Sequence, residues 1–215
     1  NSSLLDVGCG AGDNLLRAKN HLNCSVKGID PAPGEQGVGR YVLGDLDGIK
    51  IDKGFAEKLP YEDESFDVVF CSHVLEHVNN EEKSLQEIRR VLKKDGILII
   101  GMPTALMSLI SYFSIMLFTT HINVLFFLKS LGKKEMIKLF RTIFIPISHS
   151  YPRANTIYYD LFKYRVKRWE KVVSKDFQIE SKLQPYLYPY PDFFQFFKIQ
   201  RSPLGSSSVF FICKK

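Results

Sequence analysis

Cysteine is scarce in this chain of 215 residues. Cys9, Cys24, Cys71 and Cys213 are its only four, and no pair has the close spacing of a metal-ligand set. No metal is expected, and scattered thiols in apolar surroundings suit reduced core residues of a cytoplasmic protein better than disulfides. Tryptophan occurs once, against 17 Phe and 10 Tyr. No signal-peptide pattern opens the chain. A dominant charge of one sign is also missing: 29 basic and 23 acidic residues leave a net charge of +6. The excess falls mainly after residue 129, at Lys129, Lys133, Lys134, Lys138, Arg141 and again from Lys163 to Lys171. That skew suits an anionic surface, membrane headgroup or nucleic acid, and equally a solvated basic face. The length allows one α/β domain with a good core, plus an insertion or lid.

What is present is concentrated near the start. Leu4-Leu-Asp-Val-Gly-Cys-Gly-Ala-Gly12 is a short apolar run that meets three glycines at alternate positions, followed by helical patterning through Leu15, Leu16 and Ala18. A strand therefore enters a tight turn and leaves as a helix. Glycine serves there by adopting positive φ and by letting a ligand approach the backbone with no Cβ in the way. Free N–H groups at the turn and helix start favour an anion. A dinucleotide-binding loop or a plain βα turn fits this stretch alone equally well. A second short strand, Ser25–Asp30, ends in a carboxylate 18 residues after Gly12. That is where a nucleotide-binding α/β fold places an acid against ribose hydroxyls.

Further motifs follow in order: Ala56-Glu-Lys-Leu-Pro-Tyr61, Ser65-Phe-Asp-Val-Val69, Leu75-Glu-His-Val78, Arg89-Arg-Val-Leu-Lys93 and Asp95-Gly-Ile-Leu-Ile-Ile100. Taken with the glycine turn and Gly28-Ile-Asp30, this series resembles the class I S-adenosylmethionine-dependent methyltransferases. It is most similar to the small-molecule group that includes ubiquinone and menaquinone methyltransferases. The resemblance covers residues 4–101 closely, 160–215 loosely and 102–160 not at all. It leads us to expect a single methyltransferase domain over 1–215, with 102–160 as an apolar and basic helical insertion. The expected fold is Rossmann-like and doubly wound: a mostly parallel seven-stranded sheet with an antiparallel last strand and a helical lid after the fifth. Strands are expected near 4–8, 25–30, 51–55, 66–71, 96–101, 177–183 and 206–212. Helices are expected near 13–20, 81–93 and 164–173. Related folds carry one or two helices before the first strand, so a longer protein is expected.

The resemblance implies S-adenosylmethionine as cofactor. Gly8, Gly10 and Gly12 would let its methionyl part lie on the backbone, Asp6 would help fix the turn, and Asp30 would hold the ribose. Ala56 and Glu57 would flank adenine, and Cys71 and Ser72 would sit near the sulfonium. Many relatives carry Asp just before Ala-Glu; this chain has Phe55. His73 and His77, just past the fourth strand, are candidate bases because histidine titrates near neutrality. The alternative for His77 is that it begins a helix and satisfies backbone groups. His149 could roof the pocket, and His121 reads as a polar break in an apolar hairpin.

The least familiar stretch is 105–128, with 24 residues and no formal charge. By length it suits a membrane span, yet strands on either side of it must pair in one sheet. Three readings remain: a lid packed over the sheet, a hairpin dipping into one leaflet, and an oligomer contact. The basic segment after it suits an interfacial helix. The expected function is methyl transfer to an O or C atom of a small or lipid-linked acceptor: a quinone, polyprenyl or cell-surface glycan intermediate. Localisation is then cytoplasmic, peripheral at the inner membrane face. A non-catalytic cofactor-binding scaffold is the alternative. Nucleic acid is not expected as a partner. Base methyltransferases carry an Asn/Asp-Pro-Pro-Tyr-type tetrapeptide where this chain reads Cys71-Ser-His-Val74.

Overall fold

The computed structural model describes residues 2–33, 48–113, 157–185 and 205–215. Residues 34–47, residues 114–156 with His121 and His149, and residues 186–204 lie outside them. Seven strands form one sheet in the order β3-β2-β1-β4-β5-β7-β6. They are β1 (Ser3–Val7), β2 (Ser25–Asp30), β3 (Lys50–Lys53), β4 (Phe66–Ser72), β5 (Leu92–Pro103), β6 (Gln178–Leu183) and β7 (Ser208–Lys214). β1 pairs in parallel with both β2 and β4, β2 with β3, and β4 with β5. β6 and β7 are antiparallel, as expected for the last strand.

The central strands are apolar because helices cover both sheet faces in such a fold. Leu5, Val69, Cys71, Leu98 and Ile100 are wholly buried. Helix α1 (Asp13–Leu22) turns Leu15 and Ala18 inward, and α2 (Glu81–Val91) buries Ser84, Leu85, Ile88 and Val91. That spacing is one face of a 3.6-residue period, and burying each large side chain contributes about 1.5–3 kcal/mol. Asn80 starts α2 by accepting a hydrogen bond from Lys83 N at 3.0 Å, and Arg89 and Arg90 in its last turn complement the helix dipole. The helix stops at Val91, earlier than the expected 93, because Leu92 is already extended and opens β5. The register then jumps from Phe66↔Leu92 to Val68↔Ile97, so residues 93–96 bulge out before the strand resumes.

Two further corrections concern helices. The expected helix over 164–173 is broken: α4 (Ile157–Lys163) and α5 (Val166–Val173) are separate, with residues 164–165 between them. Tyr164 and Trp169 are both fully buried. His77 does not begin a helix; it lies in a turn, donating its N–H to Val74 O, and α2 starts four residues later.

The chain divides into two compact units. One comprises Asn1–Met102, Trp169–Leu183 and Phe210–Lys215, and contains nearly all of the sheet. The other comprises Pro103–Arg168 and Gln184–Val209. In it, residues 105–113 are helical (α3), Met107 and Ser108 are buried, and Thr104 N donates to Ser207 O at 2.9 Å. Among the described residues, no helix is long and apolar enough to cross a membrane.

Candidate functional site

Parallel pairing puts the carboxyl ends of β1, β2, β3 and β4 on one edge. The order reverses at β1: the chain moves outward to β2 and β3, then returns to β4 on the other side. Open α/β sheets bind ligands at such a switch point. Here the turn after β1 meets the end of β2 and the segment after β4.

The turn after β1 has the conformation the glycines suggested. Gly8, Gly10 and Gly12 have φ of 74°, 54° and 90°, values that L side chains disfavour. Gly8 N donates to Ile29 O at 2.7 Å, tying the turn to β2. A Cβ on Gly8 would stand 2.2 Å from Val74 Cγ2, so this glycine also lets the segment after β4 pack against the turn. Asp30 ends β2 and is 7% exposed. One carboxylate oxygen accepts from Gly10 N at 2.9 Å, the other from Ala32 N at 2.8 Å.

Asp6 sits under the turn and is only 2% exposed. Burial, the nearby charge of Asp30 and a weaker opposing hydrogen bond from Asn14 set its acidity, and its pKa is pushed up to about 8. Its Oδ2 has no hydrogen-bond partner. Burial followed by the charges of Asp6 and Asp30 pushes the Cys9 thiol up to about 12. Two acids thus stand close together at this edge, one of them with an unsatisfied buried oxygen.

The loop after β3 completes one side. Ala56 is buried, while the ring of Phe55 is 62% exposed. Glu57 Oε1 accepts from Asn79 N at 2.6 Å, joining this loop to the segment before α2. Glu87 Oε2 accepts from Leu59 N at 2.8 Å. Arg90 bonds the Leu59 and Tyr61 carbonyls and pairs with Glu87 and Asp63. The loop is thus fixed from behind by α2.

At the end of β4, Cys71 is completely buried, and burial, then Asp6 and Glu76, drive its thiol pKa far up. Its sulfur is inert and lies behind the surface, whereas Ser72 is partly exposed. His73 follows with φ 56° and donates its N–H to Gly101 O at 2.9 Å. His73 Nδ1 is 3.3 Å and His77 Nε2 4.0 Å from the same oxygen of Glu76, a residue with no exposed surface. The sequence reading singled out both histidines and passed over Glu76. The available signal was its place three residues after one and directly before the other. Among the described residues, no cluster of acidic, His and Cys side chains could hold a metal.

A separate cavity of about 430 Å³ is bounded by Asp63, Glu64, Gln86, Arg89, Arg90 and Lys215. It lies at the amino end of β4, away from this site, among charges that already pair with one another.

Residues 5–100 match the methyltransferase domain family. A ubiquinone/menaquinone biosynthesis C-methyltransferase of Campylobacter jejuni is 36% identical over 105 residues, which are 45% of this chain and 43% of that protein. A sterol 4-C-methyltransferase of Caenorhabditis elegans is 33% identical over 103 residues, 46% of this chain and 30% of its own length. The chain therefore spans less than half the length of these curated relatives. Among solved structures, a SAM-dependent methyltransferase of Thermotoga maritima has the same fold. Its TM-score is 0.54 at 19% identity, covering 100% of this chain and 83% of that one.

Proposed function

We propose that this protein transfers a methyl group from S-adenosylmethionine to an O or C atom of a small or lipid-linked acceptor. The observation that supports this most strongly is Asp6: a buried carboxyl with an unpartnered oxygen beside a turn of three positive-φ glycines. A ligand carrying an ammonium and a sulfonium suits such a site, whereas an anionic one would be repelled by its two acids.

The remaining residues fit the same cofactor. Gly8, Gly10 and Gly12 keep the turn low enough for the methionyl part to lie on the backbone. Asp30 spends one lone pair of each oxygen on Gly10 N and Ala32 N, and each oxygen keeps a second for a ribose hydroxyl. Glu57 is engaged with Asn79, so it supports the adenine loop, while the Ala56 backbone and the exposed Phe55 ring meet the base. Ser72 faces the sulfur, with Cys71 behind it.

The cofactor supplies an electrophilic methyl group whose departure leaves a neutral thioether. The protein holds the acceptor atom in line, about 3 Å from that methyl. When a hydroxyl is methylated, its oxygen forms the new C–O bond and its proton passes to a base. His73 or His77 fills that role.

A lipid-linked acceptor is supported by α4 and the uncharged stretch 105–128. Tyr158, Tyr159 and Phe162 are 59%, 49% and 66% exposed, and Lys163 and Arg165 stand over the Tyr159 and Phe162 rings. Aromatic rings with adjacent cations suit an anionic headgroup layer. The test supplies methyl-labelled S-adenosylmethionine with a water-soluble phenol, or with a prenylated phenol in phosphatidylglycerol vesicles. Label in the prenylated product is expected. Label on neither phenol nor extracted lipid would contradict the proposal.

A further inference from the structure

Glu76 is an acid at this edge with no part in the cofactor reading above. Its side chain has no exposed surface, and neither oxygen makes a hydrogen bond; the imidazoles approach Oε1 only at ion-pair distance. A carboxyl is costly to bury in that condition. The groups around it are His73 Nδ1 at 3.3 Å, His77 Nε2 at 4.0 Å and the Cys71 thiol, which its charge helps to keep protonated. The two imidazoles approach the same oxygen through opposite ring nitrogens.

We propose that Glu76 is a positioning residue that holds His73 in its Nδ1–H form, so that Nε2 carries the lone pair offered to the acceptor. The proposal rests on the methyl-transfer reading above and selects between its two candidate bases. An N–H beside a carboxyl oxygen fixes the tautomer and orientation of an imidazole. His73 is the nearer ring, and at 21% side-chain exposure it reaches from the buried acid toward the surface; His77 is 46% exposed. The backbone points the same way. His73 has a left-handed φ of 56°, anchored by its N–H bond to Gly101 O. A non-glycine residue persists in that region where its surroundings over-determine it, and such residues cluster at functional sites.

The experiment is a long-range ¹H–¹⁵N spectrum of the imidazoles in ¹⁵N-labelled full chain near pH 8, with His73 assigned by comparison with His73→Gln. The wild type is expected to show His73 as the Nδ1–H tautomer. Glu76→Gln, whose amide oxygen still accepts, is expected to keep it, and Glu76→Leu to move His73 mainly to Nε2–H. A wild-type spectrum with the proton on Nε2, or an unchanged His73 in Glu76→Leu, overturns the proposal. The wild-type spectrum decides alone if the leucine variant does not fold. S-adenosylhomocysteine is titrated into the same samples by calorimetry. Binding with the wrong tautomer removes only the role of Glu76. Absence of binding in the wild type removes the methyl-transfer reading and leaves the tautomer result standing.

Discussion

Asp6 makes the cofactor's affinity depend on pH in a direction that can be worked out. Its pKa is raised from 3.8 to about 8 in the empty site, chiefly by burial and then by Asp30. At pH 7 the acid is therefore mostly protonated, whereas a cationic ligand requires the carboxylate. Binding at pH 7 should release about nine-tenths of a proton from Asp6, and affinity should be about tenfold weaker than when the site is already ionised. Calorimetry at pH 7 in buffers of different ionisation enthalpy counts the proton. The ligand's own amino group also titrates above neutrality, but it is common to wild type and Asp6→Asn, so the difference between the two isolates Asp6. The variant should release almost none and bind more weakly above pH 8. The same shift sets a stability trend. The folded chain keeps a proton that the unfolded chain loses near pH 4, so this contribution is full below pH 4 and lost as pH rises through about 8. The stability gap between Asp6→Asn and wild type should widen over that window. Equal proton release from both proteins would refute the reasoning.

Other perturbations follow from the same geometry. Asp30→Ala should weaken S-adenosylhomocysteine binding by about 1.5–3 kcal/mol, since a charged acceptor is lost; unchanged calorimetric affinity would reject the ribose role. Gly8→Ala combines a positive φ with a 2.2 Å approach to Val74, and should lower stability by about 1–3 kcal/mol. Gly8→Ala/Val74→Ala should regain part of that in thermal denaturation. Arg90→Ala removes the bonds to Leu59 O and Tyr61 O, and should cost about 1–3 kcal/mol while loosening cofactor binding, as read by melting and calorimetry together. Replacing Lys163 and Arg165 with Gln should reduce co-sedimentation with anionic vesicles at low salt, and the wild-type signal should fade as salt rises.

The fold was legible where local chemistry and tertiary context agree. The apolar run into alternate glycines can only be a strand and a tight turn, and Gly28-Ile-Asp30 ends a buried strand with an acid. Both sit where the sequence placed them. Residues whose environment is made by distant contacts were less legible. Glutamate is ordinarily solvated, and only the flanking His73 and His77 signalled that this one lies buried against two imidazoles. Cys71 is expected near the sulfonium, and nothing in its local sequence says that its side chain is wholly buried. Leu92 and Lys93 are good helix formers that extended the expected helix to 93, whereas strand pairing of Leu92 with Phe66 ends it. Tyr164 and Arg165 fit one helical pattern with their neighbours, yet the chain breaks there between α4 and α5.

The central claim is that the edge formed by the glycine turn, Asp6 and Asp30 is built for S-adenosylmethionine. Its most direct test is calorimetric titration of the demethylated product, S-adenosylhomocysteine, into wild type and Asp30→Ala. One site is expected at a binding free energy of about −7 to −9 kcal/mol, clearly weakened in the variant. No heat of binding to folded wild-type protein, or equal affinity in both, would contradict the account.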